Sequence, residues 1–279
     1  MNAFRAVKQA LLAIHTIGGP GQEPGRFNQP TAIAFDDDGR LLVGDAWNSR
    51  LSLFAPGGAL LFAWSVQDFT PSAVTVATDG IIWACDLHAG RVIRFSPRGD
   101  TIDIVGDLDP LLAPSGIAAL PDGRVAVADT GNHCIRVFSP DGRQDLVIGA
   151  IGALDLREPH GMATDRHGTL IAVDRQRGRL VRFGAEWDYP EEIDLHLARG
   201  TSAHPWDVAI DRKGRMAVTM TGSDQVLLLS PSGDLLSSMS GEENAVGRLL
   251  YPTAIAFGPG DLLAIADTYN DRVVLAKSG

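Results

Sequence analysis

Along almost the whole chain, apolar runs of five to seven residues alternate with Asp-Gly or Pro-x-Gly turns. Runs of that length, bounded by turn residues, signal short strands and not helices. The first stretch predicts strands at about 32–36, 40–45, 50–55 and 59–64. The glycines supply the positive φ that tight strand connections need.

The same four-strand unit recurs six times. Its anchor is a proline: Pro30, Pro71, Pro114, Pro159, Pro205 and Pro252, spaced by 41, 43, 45, 46 and 47 residues. Fifteen residues beyond each anchor stands an acid, Asp45, Asp86, Asp129, Asp174 or Asp267, with Met220 the one exception. A turn glycine follows nine residues after five anchors, and Gly260 comes one place early in the sixth. Four strands repeated at this period are the signature of a propeller blade. The sixth unit stops at Gly279 after its third strand, and the N-terminal run, residues 10–17, is expected to supply the fourth. That closure leaves no raw edge in the stack of blades. The expected fold is all-β, a six-bladed β-propeller of four-stranded antiparallel blades forming one domain over 1–279. Its blades fall at about 29–64, 70–106, 113–149, 158–194, 204–240 and 251–279, the last completed by 8–17.

Composition adds to this picture mainly by exclusion. The 31 glycines and 16 prolines suit a fold of many turns. A net charge of −10 repels nucleic acid and anionic lipid, and Asp68, Asp107, Asp109, Glu242 and Glu243 fall in the connections between units. Neither a nucleic-acid nor a membrane partner is expected. No apolar run approaches the ~18 residues of a membrane span. Cys85 and Cys134 stand at non-equivalent positions, so they make no disulfide framework and no CxxC site, and two buried thiols are expected. With no signal-like apolar stretch after Arg5 and Lys8, a cytoplasmic location is expected.

Asp129-Thr130-Gly131-Asn132-His133 and Asp267-Thr268-Tyr269-Asn270-Asp271-Arg272 resemble the NHL repeat, as does Pro114-Ser115-Gly116-Ile117-Ala118 before the first of them. The resemblance covers almost the entire chain and implies the same six-bladed fold. It says less about function, because this fold serves RNA-binding, protein-binding, sensor and enzyme roles. The second and fifth units depart most from the pattern.

Chain geometry puts the residue after each anchor, and the loop after each repeat acid, on one face, here called the top. After the anchors come Thr31, Ser72, Ser115, His160, Trp206 and Thr253. Two residues past each acid or its equivalent come Trp47, His88, Gly131, Gln176, Gly222 and Tyr269. Such asymmetric aromatic and polar groups around a concave centre are the makings of a ligand pocket. Neutral drift of loop residues is the competing explanation. In the NHL-like peptidyl-hydroxyglycine amidating lyases, a Pro-His at the place of Pro159-His160 supplies a zinc ligand, and an Asp stands where Asp207 does. That family uses three such histidines and this chain has one. The resemblance therefore leaves two roles open for His160. It is a divalent-metal ligand for Zn²⁺ or Ca²⁺, helped by His88, Asp207 or His204, or it is a hydrogen-bonding funnel residue with no cofactor. Arg175 and Arg177 have no counterparts in other units and are candidates to hold a carboxylate or phosphate, unless they are simply solvated. The repeat acids are expected to be structural, accepting hydrogen bonds from the turn after the second strand.

Two functions follow. The first is a binding module whose top face takes a peptide, a protein or an anionic small molecule through Trp47, Arg175, Gln176, Arg177, Trp206 and Tyr269. The second is a lyase, isomerase or hydrolase that uses His160, Asp207 and His88 as acid/base groups or metal ligands. The sequence carries no signal of oligomeric state.

Overall fold

The computed structural model describes residues 11–105, 109–149, 155–187, 190–195, 204–240 and 246–278. They form six four-stranded antiparallel sheets arranged as the blades of a propeller. Blade one runs through Pro30–Phe35, Leu41–Asp45, Arg50–Phe54 and Leu60–Ser65 from the centre outward. Its first strand starts two residues earlier than the apolar run suggests, because Pro30 itself pairs with Asp45. Every blade has this Pro–acid pairing at the top, with Met220 in place of the acid in blade five.

Leu11–Gly18 forms the outer strand of blade six, pairing with Arg272–Ser278. The expected N-terminal closure is thus present, displaced by one residue, and Ala10 lies outside the described residues. Leu11 and Ile17 turn inward and are buried.

The core consists of apolar layers between neighbouring blades, where the second and third strands supply the largest buried side chains, among them Trp83, Phe54, Phe95 and Phe183. The repeat acids lie in this interior, fully buried. Asp45 shows their work. Its Oδ1 accepts the N–H of Asn28 at 2.7 Å, and its Oδ2 accepts from Asn48 at 2.7 Å and from Arg50 Nε at 2.9 Å. Asp129, Asp174 and Asp267 accept the corresponding N–H of Leu112, Arg157 and Leu250. This corrects one expectation. The backbone partner mostly belongs to the connection entering the blade, and only Asp86 also takes an N–H from its own turn, at Ala89. The acid therefore pins the incoming chain, and an arginine neutralises it: Arg50, Arg91, Arg179 or Arg272. In blade three Cys134 fills that place and Arg136, two residues on, does the job. Both cysteines are buried and unpaired, and burial pushes both thiols up. Among the described residues no helix is long and apolar enough to cross a membrane.

Candidate functional site

The innermost strands surround a central channel whose cavity measures about 50 Å³. That is room for a few water molecules and far below what an organic ligand needs. Thr31, Ser72, Ser115, His160 and Thr253 line it, each the residue after its anchor proline. In blade five the pattern breaks. Trp206 does not line the channel, and Asp207 takes its place there.

Side chains at the top of the inner ring stitch one blade to the next. Thr31 Oγ1 donates to the Pro71 carbonyl at 2.5 Å, and Ser72 Oγ to that of Pro114 at 2.6 Å. Thr130 reaches Pro159 at 2.6 Å, and Thr268 reaches Pro30 at 2.8 Å. His160 Nδ1 lies 3.1 Å from the Trp206 carbonyl. A carbonyl only accepts, so Nδ1 carries the hydrogen and Nε2 keeps its lone pair. The link from blade five to blade six has the opposite polarity: Asp207 Oδ2 accepts the N–H of Ile255 at 2.9 Å, while Oδ1 accepts that of Val208 at 2.9 Å. In blades one, two and four the residue after the anchor makes the link to the next blade, whereas Ser115 and Thr253 bond within their own blades, to the Ala113 carbonyl and to Thr268 Oγ1.

Blades four and five are also opened locally. In the other blades the second residue after the anchor resumes the strand ladder, but at Gly161 and Asp207 that bridge is missing. Thr219 Oγ1 accepts the orphaned N–H of Asp207 at 2.9 Å. Crowding explains Gly161, where a Cβ would fall 2.0 Å from Asp207 Oδ1. Gly116 is under the same pressure, with a Cβ 2.0 Å from the His160 carbonyl. Irregular pairing of this kind re-aims side chains and recurs beside functional sites.

Electrostatics follow from enclosure. Burial holds the His160 imidazolium down to about 3, the positive charge of Arg175 acts in the same direction, and the bond to Trp206 opposes both. The ring is thus neutral at ordinary pH. Burial pushes the Asp207 carboxyl up to about 7 against its two N–H partners.

Above the channel a crescent of aromatic rings crosses the top of blades four to six. His160 and Trp206 have centroids 4.3 Å apart, Trp206 and Tyr251 meet edge-on at 5.6 Å, and Tyr251 stacks on Tyr269 at 4.6 Å and 10°. The Arg175 guanidinium covers Trp206 at 4.8 Å and is ion-paired to Glu158 at 2.7 Å. Tyr269 is 51% exposed. Tyr251 has φ 53° and is held there by its N–H on Asp224 Oδ1 at 2.8 Å. Burial raises its phenol, chiefly, and the nearby Arg175 charge pulls the other way.

The structure thus gathers His160, Arg175, Trp206 and Tyr269, and it lines the channel with His160 and Asp207 together. It leaves the other candidates elsewhere. His88 is exposed on blade two, bonded to Thr70 at 3.1 Å, and does not line the channel. Arg177 is paired with Asp155 on the rim, and Gln176 and His204 are exposed. Trp47, 70% exposed, stands on the top of blade one. Among the described residues no three His, Cys, Asp or Glu side chains gather as a metal would need. Of the acidic connection residues, Asp107, Glu242 and Glu243 lie outside the described residues. Sequence reasoning missed Tyr251 and Glu158. Both immediately precede an anchor proline, where most blades carry a positive φ, and an aromatic or a charge at that place is the signal that would have found them.

A model of the NHL repeat matches residues 27–54 and 111–138, which are most of blades one and three and their incoming connections. This chain is an NHL-repeat six-bladed β-propeller. Relatives of the propeller differ widely in what they do. Protein brain tumor of Drosophila melanogaster is 28% identical over 126 residues, 44% of this chain and 12% of that protein. The human E3 ubiquitin-protein ligase TRIM32 is 26% identical over 178 residues, 58% of this chain and 27% of that protein. Virginiamycin B lyase of Nocardia farcinica is 28% identical over 164 residues, 58% of this chain and 54% of the lyase. The propeller thus spans under two thirds of each of them. Its fold superposes on virginiamycin B lyase from Staphylococcus aureus with a TM-score of 0.69 at 14% identity, over 90% of this chain and 95% of that one.

Proposed function

We propose that the propeller is a binding module whose top face engages a peptide, a protein or a small molecule at the aromatic crescent of blades four to six. The observation that carries this reading is the continuous ring contact from His160 through Trp206 and Tyr251 to the half-exposed Tyr269. Aromatic and arginine side chains dominate binding hot spots because they combine large contact area with directional polar groups. The channel beneath argues against chemistry there. It is too small for an organic substrate, and both oxygens of Asp207 are committed to backbone N–H groups. The kinship with TRIM32 and protein brain tumor is compatible with a partner-binding role.

Ligand-observed NMR with a panel of short peptides and aromatic fragments tests the proposal. Binders are expected to lose affinity on Trp206→Ala and to keep it on His88→Ala. Ligands that ignore Trp206→Ala reject the crescent.

A second reading, an eliminating or hydrolytic enzyme, rests on His160. Its Nε2 has no hydrogen-bond partner among the described residues, which leaves one free base on the channel wall. The similarity to virginiamycin B lyase points the same way. Turnover of any ester or lactone substrate that vanishes in His160→Asn would favour it over simple binding.

A further inference from the structure

Arg175 has unused capacity in an aromatic setting. Its guanidinium lies over Trp206, and Nη1 is bound to Glu158 Oε2 at 2.7 Å. Its Nε is buried without an acceptor. A guanidinium offers five donors in a fork that matches a carboxylate, and an unmet buried donor is costly. The other two arginines at the top of blade four differ. Arg157 and Arg177 both pair with Asp155 at the rim. Arg175 alone of the three lies over an aromatic ring and acts on His160 and Tyr251. Beside it stands a stacking platform: Tyr251 covers one side of the Tyr269 ring, and Tyr269 remains half exposed.

We propose that the crescent recognises an aryl carboxylate, with the aromatic ring laid on the Tyr251–Tyr269 stack and the carboxylate on the Arg175 fork in competition with Glu158. The proposal rests on the crescent being the ligand site. A charge-assisted, bidentate contact fixes the acid, and offset stacking fixes the ring. A cationic ligand fits less well, because Arg175 already occupies the Trp206 face and would repel it. A free aromatic acid and the C-terminal aromatic residue of a peptide share this chemistry.

The test titrates phenylpropanoate, phenylpropanol and phenylethylammonium into the protein, read by tryptophan fluorescence and ligand-observed NMR at low salt. The acid is expected to bind saturably and at least tenfold more tightly than the alcohol, and the ammonium ion more weakly than either. Arg175→Gln should bring the acid down to the level of the alcohol. Arg175→Lys keeps the charge and loses the fork, and should weaken the acid severalfold without moving the alcohol. Glu158→Gln removes the competitor and should tighten the acid severalfold. Equal binding of acid and alcohol, an acid indifferent to Arg175→Gln, or no saturable binding at millimolar acid overturns the carboxylate class. If in that event Tyr269→Ala still weakens the alcohol, the crescent survives as the site. If neither probe responds to Tyr269→Ala, the proposed function fails with the inference. Peptides ending in Phe as free acid or as amide separate the sources. A free-acid peptide tighter than phenylpropanoate marks a chain terminus, and the reverse order marks a free aromatic acid; both uphold the class.

Discussion

The Oδ2 atom of Asp207 accepts the backbone N–H of Ile255 at 2.9 Å, so a carboxylate on blade five holds the inner strand of blade six. Elsewhere around the funnel a hydroxyl or imidazole donates to a carbonyl of the next blade. One of the six links is therefore a titratable acceptor, and another, His160, is a titratable donor.

The two respond to pH in opposite senses. The folded-state carboxyl of Asp207 stands at about 7, above its ordinary 3.8, so the folded protein binds a proton more tightly than the unfolded chain. Its contribution to stability falls as pH rises through that window, by at most about 1.4 kcal/mol per pH unit. Asp207→Asn removes this slope. In urea titrations across the window, its destabilisation relative to the parent should shrink as pH rises.

His160 stands at about 3 when folded, below its ordinary 6.5, so the unfolded chain takes up the proton first. Stability is lost as pH falls through that window, at the same limiting slope. His160→Asn keeps a donor for the Trp206 carbonyl and should flatten the acid side of the stability profile. A slope that persists unchanged in the variant assigns the effect to other groups.

Gly161→Ala should destabilise the fold by several kcal/mol, because its Cβ would fall 2.0 Å from Asp207 Oδ1 and 2.4 Å from the Asp207 Cα, a backbone atom that no side-chain rotation can move aside. Thermal melting would read this directly. Asp207→Ala in the same background is expected to recover part of the loss, since it removes the carboxylate.

Two acids of blade three separate structural from ornamental charge. Asp129 is fully buried and holds Leu112 N–H, Asn132 and Arg136. Asp129→Ala should cost about 3–5 kcal/mol, as expected when a buried ion-pair partner is removed. Asp122, paired with Arg124 on the bottom turn, is half exposed, and Asp122→Ala should cost about 1 kcal/mol or less.

Removing residues 1–18 should sharply lower the melting temperature and promote association. The variant loses buried Leu11 and Ile17 and bares the edge of Arg272–Ser278. A melting temperature within a few degrees of the parent would show that the ring holds without its N-terminal strand.

The anchor prolines and repeat acids were enough to count the blades and to place the N-terminal strand in blade six. Short-range pairing writes itself into sequence as periodicity, and each blade repeats the same local solution. The sequence also placed nine candidates on the top face, of which the structure gathers His160, Arg175, Trp206 and Tyr269 in one crescent. What only the tertiary structure decided is which of those residues meet. The contact of Trp206 with Tyr251 and of His160 with the Trp206 backbone joins neighbouring blades whose residues stand some 45 positions apart, and no local pattern records the direction of a side chain across that gap. The same reason separates His88 from the channel, commits Asp207 to the backbone of Ile255, and brings Glu158 and Tyr251, unremarkable in the sequence, into the crescent.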